Sequence, residues 1–318
     1  MLKLGKLRRI VGGALATTLL IALAPATQAS AASTEPVPYY LALGDSLAYG
    51  YHAAQFKTEF PNINPASFDH GYVNDFGDVL SFFNPHLQIV NDGCPGETTD
   101  TMISGSGLPV PGYCAGGTHG TPFPYVWLHH PYRAGSQLAD ALAVLSANKD
   151  VRAITLNIGN NDLLQFIGAT CGFPASFTCT PGQIGAEFTH IVSNVGLILG
   201  QLRAAAPHVQ IVLLGLYNPY PAVLPAPGAD FLVKQLNTAM SAVAASIPRV
   251  SLANPEPVFN PAGYSGRAET GDIPSVCLLT AMCPGGVYNP LSPNADIHPT
   301  DLGYGVIATL IGLDFLTY

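Results

Sequence analysis

The chain has 318 residues, 48% of them apolar, with 20 acidic and 12 basic side chains and a formal net charge of −8. Lys3, Lys6, Arg8 and Arg9 all precede the first acidic residue, so the remainder holds 8 basic against 20 acidic residues, a net charge of −12. With no basic cluster left, nucleic-acid binding is excluded on electrostatic grounds.

The N-terminus reads as a secretory signal. The four basic residues lead into an apolar run from Val11 to about Ala24, followed by small residues ending Ala29-Ser30-Ala31. That order, with an A-x-A cleavage site, predicts removal of residues 1–31. The apolar run is too short to span a bilayer comfortably, so no stable membrane anchor is expected. The remaining 32–318 are long enough for one large α/β domain, and no linker or internal repeat divides them. Six cysteines in an exported chain suggest three disulfides. Spacing favours Cys171 with Cys179 and Cys277 with Cys283, each closing a short loop, which leaves Cys94 with Cys114. No Cys-x-x-Cys pair of the kind structural zinc prefers is present, and His129-His130 read as polar loop residues.

Five short apolar runs follow in chain order: Tyr39–Leu43, Leu87–Asn91, Ala153–Ile158, Val209–Leu216 and Val250–Ala253. Between and after them lie helical patterns at Ala134–Ala147, Ile184–Ala206 and Asp230–Ser246. The last repeats Phe231, Leu232, Leu236, Met240 and Val243 at a 3.6-residue period. A final helix is expected from Asp301 to about Phe315, with Thr300 as its N-cap. Strands alternating with helices predict an α/β fold, a parallel sheet covered on both faces. Ligands of such sheets bind beyond the carboxyl ends of the strands. Three of those ends carry polar, glycine-bearing turns: Gly44-Asp45-Ser46, Asn91 to Gly96, and Gly159-Asn160-Asn161-Asp162. The long stretches 105–133, 168–183, 217–229 and 255–297 are read as walls of a substrate site.

Ser46 follows a strand and precedes a helical turn at Leu47–Tyr51, a place that presents its hydroxyl beside backbone N–H groups. It does not fit Gly-x-Ser-x-Gly, so the nucleophile elbow of the α/β-hydrolases is absent. Four short blocks in order nevertheless stand out. They are Leu43-Gly44-Asp45-Ser46-Leu47-Ala48-Tyr49-Gly50, Gly93-Cys94-Pro95-Gly96-Glu97-Thr98-Thr99, Gly159-Asn160-Asn161-Asp162, and His298-Pro299. In these blocks, spanning 43 to 299, the chain resembles the SGNH hydrolases, also called the GDSL esterase/lipase family. Elsewhere it matches only in the placement of strands and helices.

The resemblance implies a three-layer α/β/α sandwich around a five-stranded parallel sheet, flavodoxin-like in kind, and no cofactor or metal. It also implies Ser46 as nucleophile, His298 as general base, and an oxyanion hole made by Ser46 N–H, Gly96 N–H and the Asn161 side chain. Asp45 and Asp162 are assigned to structure. The family usually places an aspartate three residues before the histidine, and here that position is Ala295. Two arrangements stay open: Asp296 bends back to His298 Nδ1, the favoured one, or a main-chain carbonyl near Ala295 accepts that proton.

The expected activity is that of a secreted, monomeric serine esterase or lipase acting on small-molecule or lipid esters. Phe123, Tyr125, Trp127, Tyr132, Tyr217 and Tyr220 are candidates for an apolar acyl pocket, though any of them fits the core equally well. The alternatives are a carbohydrate acetyl esterase of the same fold, whose loops would stack on sugar rings, and a non-catalytic secreted binder.

Overall fold

Each of the five apolar runs forms a strand: β1 Tyr39–Gly44, β2 Gln88–Asn91, β3 Val151–Asn157, β4 Gln210–Leu214 and β5 Val250–Ala253. They come from a computed structural model that describes residues 37–108, 112–114, 122–173, 175–221, 223, 228–265 and 269–317. The expected signal at 1–31 lies outside these. All neighbouring strands pair in parallel, in the order β2-β1-β3-β4-β5. This is the doubly wound, flavodoxin-like order, whose switch point falls between β1 and β3. The register sets Asn91 beside Ala42, and Gly44, Asn157, Leu214 and Ala253 side by side. All five carboxyl ends therefore open on one rim.

The central strands are buried on both faces, the edge strand β2 is largely exposed, and alternate residues point to opposite helix layers. Leu41, Leu43, Ile154, Leu156, Ile211 and Leu213 pack under α3 Gln137–Ala147, α5 Pro181–Ala205 and α6 Ala229–Ser246. Tyr40, Ala42, Ala153, Val212 and Leu214 pack under α2 Tyr72–Phe83 and α7 Asp301–Leu316. Two helix layers on one sheet make the three-layer sandwich. Helix starts are set by local chemistry. The hydroxyls of Ser136, Thr180 and Thr300 accept from the third backbone N–H of α3, α5 and α7, and Thr180 with Gln183 completes a capping box.

Two helices depart from the expectation. Tyr72–Phe83 had no assignment, and α4, Asn160–Cys171, runs into the stretch read as loop 168–183. The caps of both are glycines, Gly71 and Gly159, without a side chain to mark the start. The stretch 255–297 also holds short helices at Glu256–Phe259, Pro261–Ser265 and Ile273–Leu279. Three disulfides join Cys94 to Cys114, Cys171 to Cys179 and Cys277 to Cys283. Among the described residues no helix is long and apolar enough to cross a membrane.

Candidate active site

The site begins where β1 ends, at the switch point. Gly44 has φ +143°, and a Cβ there would run into the backbone carbonyl of Asn157 on β3, so the two strands close tightly only around a glycine. The buried amide of Gln137 clamps this residue, accepting from Gly44 N at 2.6 Å and donating to Gly44 O at 2.9 Å. Asp45 N then donates to Asn157 O, and the Asp45 carboxylate accepts from Leu47 N at 2.9 Å, capping the short helix α1, Ser46–Tyr49. Burial pushes the Asp45 carboxyl up to about 7. The chain thus turns sharply at Asp45 and leaves Ser46 half-buried on the rim.

His298 reaches Ser46 from 252 residues away. Its segment lies antiparallel to residues 279–281: Ala281 N donates to His298 O, Asp296 N to Ala281 O and Thr300 N to Leu279 O, each at 3.0 Å. The Cys277–Cys283 disulfide closes the loop that offers those partners. Tyr217 OH donates to Ile297 O at 2.6 Å, and the Tyr51 ring sits 4.6 Å from the imidazole. Held this way, His298 Nε2 lies 2.8 Å from Ser46 Oγ, while Nδ1 bonds Asp296 Oδ1. The second carboxylate oxygen of Asp296 accepts from Ala53 N at 2.9 Å. Burial alone would raise the Asp296 carboxyl, but the neighbouring imidazole and the N–H donors outweigh it and hold the group at about 2. With Nδ1–H donated to this carboxylate, Nε2 is the nitrogen free to accept the serine proton.

The two backbone turns nearby are tied to the same place. Asp92 N donates to Ala42 O and Cys94 N to Gly44 O, which pins the 91–97 turn against the end of β1. Gly96 in that turn has φ +86°, a left-handed conformation that favours glycine. The Asn161 side chain donates one amide hydrogen to Glu97 O at 2.9 Å and keeps a second. Asp162 beside it accepts from Thr99 N and Thr99 Oγ1, joining α4 to the helix Thr99–Ser104. Ser46, Gly96 and Asn161 thus belong to one hydrogen-bonded frame.

From Ser46, Asn161 and His298 an apolar cleft runs between α4 and α6, enclosing about 710 Å³ with its open mouth included. Leu163, Leu164, Ile167, Leu216, Leu232 and Val233 line it, with Tyr217 and Tyr220 on one wall and Phe173 meeting Tyr220 at 5.1 Å. Of the six aromatic candidates, only Tyr217 and Tyr220 line this cleft. Phe123, Tyr125, Trp127 and Tyr132 instead pack around Tyr49 and the Cys94–Cys114 disulfide. The Tyr49 hydroxyl donates to Trp127 O, and Tyr132 OH donates to Asp92 O. The polar ends of these two tyrosines are satisfied inside the protein, which makes Phe123 and Tyr132 core, with Tyr125 and Trp127 half-buried against them.

Tyr51 and Ala53 bear on the His298 segment and were not singled out by sequence, while Tyr217, expected only as a pocket residue, also holds Ile297. Ala53 acts through its backbone N–H, which leaves no mark in the residue type. Among the described residues, two groups stand close enough to share an ion: Cys94, Glu97 and Cys114, and Asp92, His130 and Asp140. The sulfurs of the first are already joined to each other. Neither group lines the cleft.

Residues 42–306 match a family described as GDSL-like Lipase/Acylhydrolase. No curated protein matches the chain. Among solved structures it is similar to the lipase Lip_vut3 from a goat rumen metagenome, at 16% identity and TM-score 0.52, covering 87% of this chain and 97% of that one. A putative GDSL-like lipase from Parabacteroides merdae gives 13% identity and TM-score 0.52, over 89% and 98% of the two chains. An extracellular lipase from Streptomyces rimosus gives 14% identity and TM-score 0.50, over 87% and 99%. At these identities the likeness is one of fold.

Proposed function

Because the chain belongs to the GDSL-like lipase/acylhydrolase family and is a carboxylic ester hydrolase, we propose that it cleaves esters of medium or long fatty acids through an acyl-enzyme on Ser46. The observation that carries this reading is the chain of contacts from Ser46 Oγ to His298 Nε2 at 2.8 Å and on to Asp296, opening on an apolar cleft.

His298 takes the Ser46 proton as Oγ attacks the ester carbonyl. The carbonyl oxygen becomes an oxyanion held by Ser46 N–H, Gly96 N–H and the second amide hydrogen of Asn161; each such donor lowers the barrier by about 2.7–4 kcal/mol. His298 then protonates the departing alcohol. Water, deprotonated by the same imidazole, releases the acid and restores Ser46. Asp296, ionised at about 2 and above, stabilises the imidazolium formed in both halves and fixes its tautomer.

The cleft sets the acyl preference. From Asn161 to Ile167, the last residue of α4 on the cleft, the helix advances about 9 Å at 1.5 Å per residue, and Phe173 lines the cleft beside Tyr220. An extended chain gains about 1.2 Å per bond, so roughly seven bonds fit alongside. An acetyl group would leave most of this lining empty, which weighs against the acetyl esterase. Each methylene buried contributes about 0.8 kcal/mol, close to fourfold in kcat/KM until the cleft is full.

Chromogenic esters from acetyl to palmitoyl, with wild type and Ser46→Ala, test the proposal. A profile that climbs to about eight carbons and vanishes in Ser46→Ala supports it. Activity confined to acetate would hand the site to the carbohydrate esterase, and an active Ser46→Ala would end the serine mechanism. We further infer secretion as a monomer, with residues 1–31 removed and 32–318 as one domain; the three disulfides and the short apolar N-terminal run support this. N-terminal sequencing of exported protein and its mass in solution check it.

A further inference from the structure

Outside the cleft, three elements bring ionisable side chains to one point. Asp92 comes from the turn after β2, His130 from the loop that follows Trp127, and Asp140 from α3. His130 Nδ1 lies 2.6 Å from Asp92 Oδ1 and 3.4 Å from Asp140 Oδ2. Both carboxylates are buried, their side chains 0% and 1% exposed. Asp140 Oδ1 accepts from Arg133 N and Ala134 N, which turns Oδ2 toward the imidazole, yet that oxygen has no hydrogen-bond partner. Asp92 Oδ2 is likewise buried and without a partner.

Two buried carboxylates facing one imidazole make a charge problem. An imidazolium cancels one negative charge and leaves one; Arg133, which also acts on His130, is exposed to solvent. A divalent cation beside a neutral imidazole cancels both and gives Asp140 Oδ2 something to bind. We propose that Asp92, His130 and Asp140 form a binding site for one divalent transition ion of the zinc type. Imidazole with carboxylate oxygen suits such an ion, and a thiolate set is absent. Ligand atoms about 2.0–2.2 Å from a tetrahedral ion stand roughly 3.4 Å apart, the separation already seen between His130 and Asp140. The Asp92–His130 contact has to open from 2.6 to about 3.4 Å, as the Nδ1 proton gives way to the ion. Water enters the fourth position from the side on which His130 is 26% exposed.

The ion would be structural. It would fasten the turn that carries Gly96 to α3 and to the loop behind Tyr49, the same turn the Cys94–Cys114 disulfide ties from its other side. The proposal is independent of the acyl preference and of the serine mechanism.

Untagged protein, stripped with a chelator and titrated with Zn²⁺ by calorimetry, tests it. The site should take one equivalent, and a hundredfold excess over Kd should raise Tm by about 4 °C or more. Asp140→Asn and His130→Gln should each weaken this binding at least tenfold and erase the Tm rise. Circular dichroism reports whether Asp140→Asn still folds, and the half-exposed His130→Gln stands alone if it does not. Zinc that fails to bind, or that binds His130→Gln as tightly as wild type, would overturn the site and leave the cluster a carboxylate–imidazolium bridge.

Discussion

Two aromatic regions flank Ser46, and they serve different ends. Behind the serine, Tyr49, Phe123 and Trp127 pack edge to face around a disulfide, with Phe68 tilted against Tyr49 and the tyrosine hydroxyl bonded within the protein. In front, Tyr217, Tyr220 and Phe173 stand along a cleft that no described residue fills. Both regions come from Gly- and Pro-rich connections, so composition does not separate them. What separates them is which strand end they leave. The first closes over the β1–α1 turn, whereas the second flanks the gap between α4 and α6.

The regions meet at Asp296, whose carboxylate takes Ala53 N–H from the first side, while Tyr217 holds Ile297 from the second. Asp296→Asn should show the largest effect, a fall in kcat of about 10⁴ from the lost carboxylate and the wrong tautomer, with melting little changed. A loss of only a few-fold would move the orienting role to a main-chain carbonyl near Ala295. Phe123→Ala comes next. It should cost about 3–5 kcal/mol of stability in a denaturant melt, with the acyl-chain profile intact. Phe173→Ala should do the reverse, melting near wild type while extending the accepted chain by a few carbons. If either variant behaved like the other, the division between packed and open side would be wrong.

The smallest expected effect concerns Asp45, under the serine. Its carboxyl is raised by burial to about 7, against about 3.9 in an unfolded chain. Between those values the unfolded chain holds fewer protons than the folded one. Stability from this group is therefore complete below about pH 4 and lost as pH rises through 7. Asp45→Asn keeps an oxygen for Leu47 N–H and does not titrate. Its Tm should gain on wild type between pH 4 and pH 8, and a constant difference would show that Asp45 is not so perturbed.

The sheet was legible because buried parallel strands are short apolar runs, and their polar ends mark the rim. The long helices capped by Ser136, Thr180 and Thr300 were legible from their apolar period and caps. Tyr72–Phe83 and Asn160–Cys171 were not: both start on glycines without a side-chain cap, and neither was given the kind of apolar period that marked Asp230–Ser246, which also starts on a glycine. The four motif blocks fixed where to look, but not which group faces His298 Nδ1. Asp296 sits one position from the expected place, and only the antiparallel pairing with residues 279–281 folds it back. Nor could sequence sort the aromatic side chains. That depends on the partners of Tyr49 and Tyr132, which lie far along the chain at Trp127 and Asp92.

The most direct test is labelling with a fluorophosphonate, followed by peptide mapping. One phosphonate per chain on the peptide that carries Ser46, with hydrolysis lost in proportion, is the expected result. Label on another residue, or full ester hydrolysis by completely labelled protein, would contradict a nucleophile at Ser46.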